Sequence, residues 1–582
     1  MPNRYNIKIA GETGMGLSGV GESVQKALKK MGFYIHSERE FPSTIKGGKA
    51  SNSINFGTSP IHGLSNVYDI GVGLDREGVK DLLETLKPNG ILIHGFDRWN
   101  KVIKDLSAQA EAKNLQVFLI PAREIAIENG GSVIMVNTVL LGVLWKVLGL
   151  DIDGIKSEIA SQFKHKPVIA EVNLKCVDAG YNYNEFENIP KLKIEKPHQV
   201  PETMLVDGNT SIALGAIQAG VRAYYAYPMS PSTSILVYLA KVDHQTKMLV
   251  KQVEDEITAA QMALGSMHMG TRALTSTSGG GYDLMTETVS LAAMIETPLV
   301  ISIIQRPGPA TGLPTWTGQA DLNLAIYSSH GEFARIVIAC SDPQSCYENI
   351  QQAFNLAEKY QTPVIVLSEA TIAMSFETVD IFKENIIPIE RGLVINLDDL
   401  NSSDRYKITE NGISTRWLPG TYETTYFANG DEHWESGEIN EDADKAEQMI
   451  GKRLKKIATI LVDLPEPQIF GDAANADISF VGWGSTKNAV LDAIEILKDK
   501  GIKANYLHYN YVWPLKTEKF VEFCKNNQNV NLIEGNYEGQ LGNLLEGKTG
   551  IKFKNRFLKW NGRPFYVEDV VQWVMGRVGE IN

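Results

Sequence analysis

The chain has 582 residues, of which 43% are hydrophobic and 21% charged, and its 69 acidic against 56 basic residues leave a net charge of −13. At about 150 residues per domain this length holds three to four domains, and 51 glycines suit a turn-rich α/β protein with large cores. The acidic balance argues against a nucleic-acid or anionic-membrane surface and leaves room only for a local basic pocket. Four cysteines, Cys176, Cys340, Cys346 and Cys524, are scattered without a CxxC pair. Iron–sulfur clusters and structural zinc sites draw on closely spaced cysteines. These thiols therefore read as buried and reduced, in keeping with a cytoplasmic compartment.

From the N-terminus, Met1-Pro2-Asn3-Arg4 carries no apolar signal core. Residues 5–10 predict a strand, 23–31 a helix, and 33–36, 67–72 and 91–94 further strands, a βαβ pattern. Gly14-Met15-Gly16-Leu17-Ser18-Gly19 matches G-x-G-x-x-G after the first strand. A nicotinamide site would want an acidic residue at the end of the next strand, for which Glu38 is a loose candidate. Lys46-Gly47-Gly48-Lys49 sets two lysines around glycines that could approach a phosphate; the alternative is a solvated loop. The most hydrophobic run, residues 133–150, is interrupted by Asn137, Lys146 and glycines. A membrane span needs about twenty predominantly apolar residues, so this run predicts a buried core helix. Residues 189–197 are marked by proline and lysine, lack periodicity and read as a linker.

A second α/β unit starts at residue 205, with a helix at 212–220 and strands at 299–304 and 363–367. Within it the apolar run 221–226 predicts a strand that leads into Tyr227-Pro228-Met229-Ser230-Pro231-Ser232-Thr233. Two prolines fix their own φ and hold the preceding residues extended, so the loop is stiff and presents the hydroxyls of Ser230, Ser232 and Thr233. Further on, Glu254-Asp255-Glu256 follows a strand at 248–250 and opens a small-residue helix at 257–265, with carboxylates at its positive end. Open α/β sheets bind ligands at their strand carboxyl ends. A hydroxyl-bearing loop and a helix-start carboxylate at neighbouring strand ends therefore make a candidate site. Residues 385–470 are polar, acidic and short of strands, with a charged helical stretch at 442–462, and a final α/β domain opens near residue 477.

These residues resemble the α subunit of the 2-oxoacid:ferredoxin oxidoreductases, thiamine diphosphate enzymes whose loop here commonly reads Tyr-Pro-Ile-Thr-Pro-Ser. Met229 and Ser230 replace the Ile and Thr, keeping the hydroxyl and losing a methyl. The resemblance continues through Thr275-Ser276-Thr277-Ser278-Gly279-Gly280-Gly281 and Arg306-Pro307-Gly308-Pro309-Ala310-Thr311-Gly312-Leu313-Pro314-Thr315. It resumes at Gln319-Ala320-Asp321-Leu322, Leu507-His508, Val512-Trp513-Pro514 and Glu534-Gly535-Asn536-Tyr537-Glu538-Gly539-Gln540-Leu541. The N-terminal region is similar to that family's γ subunit, fused in front. The implied fold is α/β with several doubly wound domains. These are a γ-type domain (1–190), a linker (191–204), a pyrimidine-side thiamine diphosphate domain (205–384), a connecting segment (385–474) and a transketolase C-terminal-like domain (475–582). Counterparts of Arg416-Trp417-Leu418-Pro419-Gly420 and Glu432-His433 lie in the related connecting segments.

The activity implied is oxidative decarboxylation of a 2-oxoacid to an acyl-CoA with reduction of ferredoxin. The favoured substrate is 2-oxoglutarate, and pyruvate or a branched-chain 2-oxoacid is the alternative. From other classes, an NAD-dependent dehydrogenase using the N-terminal glycines and a non-catalytic scaffold subunit are the competing readings; intact Glu256 and Ser230 argue against the scaffold. By resemblance Glu256 is the catalytic carboxyl, which hydrogen-bonds N1′ of the pyrimidine so that the 4′-imino group can take the thiazolium C2 proton. Glu254 and Asp255 are its rivals, with favourable helix-start charge as their plainer role. Ser230 would meet the carboxylate or ketone of the substrate, beside Ser232, Arg306, Thr311 and Trp316, while Tyr227, Pro228, Ser278 and Gly279 join Glu256 around the cofactor. Lys46 and Lys49 are implied for coenzyme A.

Thiamine enzymes hold the diphosphate through Mg²⁺ on a Gly-Asp-Gly turn. Here Gly430-Asp431-Glu432 and Gly471-Asp472-Ala473 come nearest without matching. The expectation is a pyrimidine-side half with no metal of its own. A β subunit would bring Mg²⁺, the diphosphate site and a [4Fe–4S] cluster, in a heterodimer or a dimer of heterodimers. At position 316 many related subunits have Arg or Lys, and this chain has Trp316, one donor and a large apolar face. The pocket should then favour an apolar or aromatic tail, unless another basic residue supplies the charge and keeps 2-oxoglutarate preferred.

Overall fold

A computed structural model of the chain describes residues 4–13, 16–43, 48–95, 104–183, 191–384, 386–394, 400, 404–472 and 474–577. They form two compact units. The first comprises Met1–Val206, Ser375–Ile381 and Tyr566–Gln572. Its sheet is built from β1 (Arg4–Glu12), β2 (Tyr34–Glu40), β3 (Lys49–Gly57), β4 (Tyr68–Gly73), β5 (Leu86–His94), β6 (Gln116–Leu119), β7 (Thr203–Asp207) and β14 (Phe376–Asp380), in the order β6-β5-β4-β1-β3-β2-β14-β7. The predicted strands fall on β1, β2, β4 and β5, and β1, β4, β5 and β6 run parallel.

The simple βαβ expectation needs correction, because β3 intervenes between β1 and β2 and runs antiparallel to both. Glu38, on β2, is therefore not on the strand next to the glycine turn, and a nicotinamide site loses its adjacent-strand geometry. Gly14 and Met15 of that turn lie outside the described residues. β3 escapes a sequence reading because its buried positions include Asn52, Ser53 and Asn55. Each finds a partner elsewhere: Asn52 donates to the Leu17 carbonyl at 2.7 Å, Ser53 meets the Tyr68 hydroxyl at 2.8 Å and Asn55 donates to Asn6 Oδ1 at 3.0 Å. Buried polar groups so satisfied cost little.

The apolar run 133–150 forms a 3₁₀ turn, Val133–Met135, and the helix Val136–Leu148, buried as expected. Its neighbour is the helix Pro167–Tyr181. Gly142 and Gly180 allow the close approach, since a Cβ on either would strike the Val177 or Val139 carbonyl of the opposite helix. Among the described residues no helix is long and apolar enough to cross a membrane.

The second unit comprises Asp207–Met374, Phe382–Phe565 and Trp573–Asn582. A seven-stranded sheet in the order β18-β12-β13-β11-β10-β8-β9 uses β8 (Ala223–Ala226), β9 (Leu249–Gln252), β10 (Ala273–Thr277), β11 (Leu299–Gln305), β12 (Ile336–Ala339), β13 (Pro363–Glu369) and β18 (Tyr511–Trp513). All are parallel except β18 at the edge. β11 and β13 are buried along their whole length, which is why they read as predominantly apolar runs. A five-stranded sheet, β15-β17-β16-β19-β20, uses β15 (Gln468–Gly471), β16 (Ile478–Trp483), β17 (Ala504–Tyr509), β19 (Val530–Glu534) and β20 (Asn555–Leu558).

The charged stretch at 442–462 is the helix Ala443–Asp463, and two of its lysines are buried. Lys456 Nζ lies 2.7 Å from Glu296 Oε2, Lys452 pairs with Glu296 Oε1, and Arg405 donates to the Glu296 carbonyl at 3.0 Å. Burial pushes the Glu296 carboxyl up, but Lys452, Lys456 and Arg405 outweigh it and hold the group well below the usual carboxylate range.

Candidate active site

Because β9, β8, β10 and β11 are parallel neighbours, the loops that follow them share the carboxyl edge of the sheet. These loops are Tyr227–Thr233 after β8, Glu254–Glu256 after β9, Ser278–Gly281 after β10 and the stretch 306–321 after β11. The predicted site residues of the second unit are thereby gathered at one place.

Of the three acidic residues after β9, Glu254 is exposed, Asp255 caps the helix Glu256–His268 by accepting the Thr258 amide at 2.7 Å, and Glu256 is buried, 4% exposed. Glu256 Oε1 is buried without a hydrogen-bond partner among the described residues. The glycine run after β10 accounts for the space beside it: a Cβ on Gly281 would come within 2.6 Å of Glu256 Oε1 and strike Thr277 Oγ1. An orphaned carboxyl oxygen facing a backbone stripped of side chains is poised for an external partner, since burying such an atom unpaired is costly.

The Tyr227–Thr233 loop divides its hydroxyls. Ser230 is exposed, whereas Ser232 is buried and donates to the Met229 carbonyl at 2.8 Å, so its hydroxyl is used within the loop. Tyr227 is exposed and Pro228 half-buried. Met229 Sδ accepts from Ser278 Oγ at 2.8 Å, which joins this loop to the start of the helix Gly279–Met294. The buried Arg306 donates to the Ser230 carbonyl at 2.7 Å. Burial lowers the pKa of Arg306, and the charge of Asp321 works against that.

In the sequence Asp321 stands out only as part of the Gln319-Ala320-Asp321-Leu322 motif. Its Oδ2 is buried without a hydrogen bond among the described residues, and a Cβ on Gly279 would lie 2.6 Å from it. Burial, reinforced by Asp283 and opposed by Arg306, pushes its pKa up to about 7. Below about pH 4 the carboxyl is protonated in both folded and unfolded chains and costs nothing. As pH rises the unfolded chain ionises first, so the folded state is penalised, fully so above about 7. Asp321→Asn should accordingly raise unfolding free energy more at pH 8 than at pH 4, by up to about 4 kcal/mol for a shift of this size. Urea midpoints at the two pH values measure it, and an equal effect at both would show that Asp321 is not held protonated.

Thr311 is exposed and Trp316 half-buried. Over the Trp316 ring lies a residue that no sequence signal indicated, Arg563, with Cζ 3.1 Å from the ring centroid. The last part of the 306–321 loop enters a buried network. Gln319 Nε2 donates to Glu369 Oε1 at 2.7 Å and to the Trp483 carbonyl at 3.0 Å, while its Oε1 accepts the Gly535 amide at 2.6 Å. Trp483 Nε1 donates to Glu534 Oε1, also at 2.6 Å. The separated motifs Gln319-Ala320-Asp321 and Glu534-Gly535-Asn536 thus meet, and burial pushes the Glu369 pKa up to about 7 against the hydrogen bonds it accepts from Ser485 and Gln319. In the first unit Lys46 lies outside the described residues, and Lys49 pairs with buried Asp81, whose Oδ2 is 2.9 Å from Lys8.

Comparison with known proteins agrees with this architecture. The family described as "Pyruvate flavodoxin/ferredoxin oxidoreductase, thiamine diP-bdg" matches residues 214–452, and "Pyruvate ferredoxin/flavodoxin oxidoreductase" matches residues 6–183. The chain is 31% identical to the 2-oxoacid:ferredoxin oxidoreductase subunit alpha of Sulfolobus sp, over 97% of this chain and 96% of that one. It is 28% identical to the 2-oxoglutarate oxidoreductase subunit KorA of Mycobacterium tuberculosis, over 99% of this chain and 92% of the relative. A solved 2-oxoglutarate:ferredoxin oxidoreductase from Magnetococcus marinus, with 2-oxoglutarate, coenzyme A and succinyl-CoA bound, superposes with a TM-score of 0.92 at 29% identity, covering 100% of both chains. With the thiamine diphosphate-binding domain matched over residues 214–452 and relatives matched over nearly their whole length, the chain belongs to the 2-oxoacid:ferredoxin oxidoreductases, among their α subunits.

Proposed function

We propose that this chain is the fused γα subunit of an enzyme that oxidatively decarboxylates a 2-oxoacid, 2-oxoglutarate in preference to pyruvate, to an acyl-CoA while reducing ferredoxin. The observation that carries this reading is the buried Glu256 carboxyl at a helix start, whose Oε1 has no hydrogen-bond partner among the described residues and faces Gly281. That arrangement fits the aminopyrimidine half of thiamine diphosphate, which supplies a nucleophilic carbon and an electron sink when bound. Glu256 holds a proton at N1′ of the pyrimidine, and its surroundings exclude water from that bond. Ser278, Gly279, Tyr227 and Pro228 shape the rest of the pyrimidine side. The exposed Ser230 hydroxyl meets the C1 end of the substrate, and Arg306 keeps the Ser230 backbone in place through its carbonyl.

The reading carries with it the five-part division at residues 190, 204, 384 and 474, and a cytoplasmic location for a chain with four free cysteines. The sequence holds no Gly-Asp-Gly turn and no CxxC pair. A β subunit accordingly brings Mg²⁺, the diphosphate site and a [4Fe–4S] cluster, and hands electrons to ferredoxin. Coenzyme A is the acyl acceptor, and Lys49 of the γ-type domain is a contact for it. Relatives named as subunits, and a relative solved with coenzyme A and succinyl-CoA, support both points.

Co-expression with the β chain should yield a coloured complex that reduces ferredoxin or a viologen dye with a 2-oxoacid and coenzyme A, while the single chain is colourless and inactive. Turnover by the single chain would overturn the split site. Reduction of NAD by the single chain would favour a dehydrogenase instead.

A further inference from the structure

We propose that Gln305 and Gln319 form a clasp that closes the neck of the 306–321 loop, and that Gln319 is thereby a positioning residue for binding of the 2-oxoacid. The inference rests on the reading above that the loops after β8–β11 take a 2-oxoacid. It goes further by naming what sets the position of the loop that starts at Arg306.

The two glutamines bracket the loop and are both buried, at 0% and 1% exposure. Gln305 ends β11, and its Oε1 accepts the Asp321 amide at 3.1 Å, which draws the far end of the loop back to its start. Its Nε2 donates to the Ser368 carbonyl at 3.3 Å. Gln319 reaches the next residue of β13, donating from Nε2 to Glu369 Oε1 at 2.7 Å. Glu369 is also the register partner of Gln305 where β11 pairs with β13. Both sides of the neck are therefore fastened to the carboxyl end of one strand.

The residues next to the clasp are the ones that meet the other loops. Arg306 follows Gln305 directly and donates to the Ser230 carbonyl at 2.7 Å. Asp321 stands two positions after Gln319, with Oδ2 lying 2.6 Å from where a Cβ on Gly279 would be. Glu256 Oε1 has the same 2.6 Å clearance from a Cβ on Gly281, in the same first turn of the helix Gly279–Met294. A shift of the neck would therefore move Arg306 against Ser230 and Asp321 against the helix start, while Glu256 is held from the loop after β9.

The chemistry of the position calls for an amide. Gln319 spends both N–H bonds, on Glu369 and on the Trp483 carbonyl at 3.0 Å, and its Oε1 accepts the Gly535 amide at 2.6 Å. Its main chain is held as well, the amide donating to the Gly535 carbonyl at 3.0 Å and the carbonyl accepting from Asn536 Nδ2 at 3.1 Å. Gln540 Nε2 adds a bond to the Ala320 carbonyl at 2.9 Å. A Cβ on Gly484 would strike both Glu369 Oε1 and Gln319 Nε2, so the contact is possible only with glycine there. A methionine at 319 would keep the length, yet leave the Gly535 amide without its acceptor and take a donor from Glu369. A glutamate would set a second carboxylate against Glu369.

The test uses the assembled complex with the β chain, 2-oxoglutarate and coenzyme A. Gln319→Met should raise KM for the 2-oxoacid and lower kcat/KM by about 10–100-fold, the scale of a positioning error of about 1 Å. C2 hydrogen–deuterium exchange of thiamine diphosphate without substrate should stay at the wild-type rate, because Glu256 does not belong to the clasped loop. As a readout independent of turnover, inhibition by glutarate should weaken in step with KM. Gln319→Glu should be more severe than Gln319→Met. Adding Glu369→Gln to it exchanges donor and acceptor across the clasp and should recover most of the lost affinity. Should Gln319→Met fail to fold, Gln540→Leu removes only the side-chain bonds to the Ala320 carbonyl and the Asn323 amide and should shift KM the same way by less.

A wild-type KM in Gln319→Met would overturn the proposal. So would an equal loss of substrate affinity and of C2 exchange, since the glutamine would then brace the whole site and not this loop. A double variant no better than Gln319→Glu would break the pairing of Gln319 with Glu369. A wild-type complex that uses no 2-oxoacid at all would refute the proposed function itself, and this inference with it.

Discussion

Glu256→Gln should slow C2 hydrogen–deuterium exchange of thiamine diphosphate in the assembled complex by about 10²–10⁴-fold, the usual worth of a positioned proton-transfer group. The amide is nearly the same size and fits the same space, but it cannot deliver a proton to N1′. The space beside the carboxyl exists because residue 281 is glycine: a Cβ there would come within 2.6 Å of Oε1, the atom without a hydrogen-bond partner among the described residues. A structural explanation for any loss is controlled by the urea midpoint, which should move little. A second control is Glu254→Gln, an exposed neighbour two positions earlier, which should leave exchange unaltered. If exchange in the Glu256 variant matched wild type, another residue would have to act on the pyrimidine.

The largest expected effect on stability lies away from these loops. Glu296→Gln leaves Lys452 and Lys456 buried without their ionised partner, and breaking a buried charge cluster from one side typically costs about 3–5 kcal/mol. The pH dependence has a definite sign. The folded-state pKa of Glu296 lies below its ordinary value, so the stabilisation is present above about pH 4.5 and is lost as pH falls towards the folded-state value. The gap between wild type and variant should therefore be wide at pH 7 and narrow in acid. Glu296→Leu combined with Lys452→Met removes charge from both sides and should cost less than the sum of the single changes. A small, pH-independent loss in Glu296→Gln would mean that the cluster is not ionised as described.

Much of this protein was legible from local sequence. Apolar runs such as those of β11 and β13 declare themselves because strands buried on both faces are mostly apolar, with Ser302 and Gln305 in the first and Ser368 and Glu369 in the second as their few polar positions. The Tyr227–Thr233 loop and the Glu256 helix start were readable because prolines, caps and charge at a helix end act within a few residues. The pairing of those two features at one sheet edge followed from strand order, and the resemblance of their residues to a known family carried the chemistry.

What the tertiary structure decided are the matters that depend on partners distant in the chain. β3 carries asparagines and serine in a central strand, and these become acceptable only when Leu17, Tyr68 and Asn6 arrive to bond them. β14 joins the sheet of the first unit and β18 the edge of the seven-stranded sheet, pairings that no local pattern encodes. Ser232 resembles Ser230 in sequence, yet the turn of the loop directs its hydroxyl to the Met229 carbonyl and leaves the other exposed. Trp316 alone reads as the loss of a cation. The fold brings Arg563 onto its face, because the approach is made by backbone hydrogen bonding at Thr317 and by a glycine whose φ few other residues adopt.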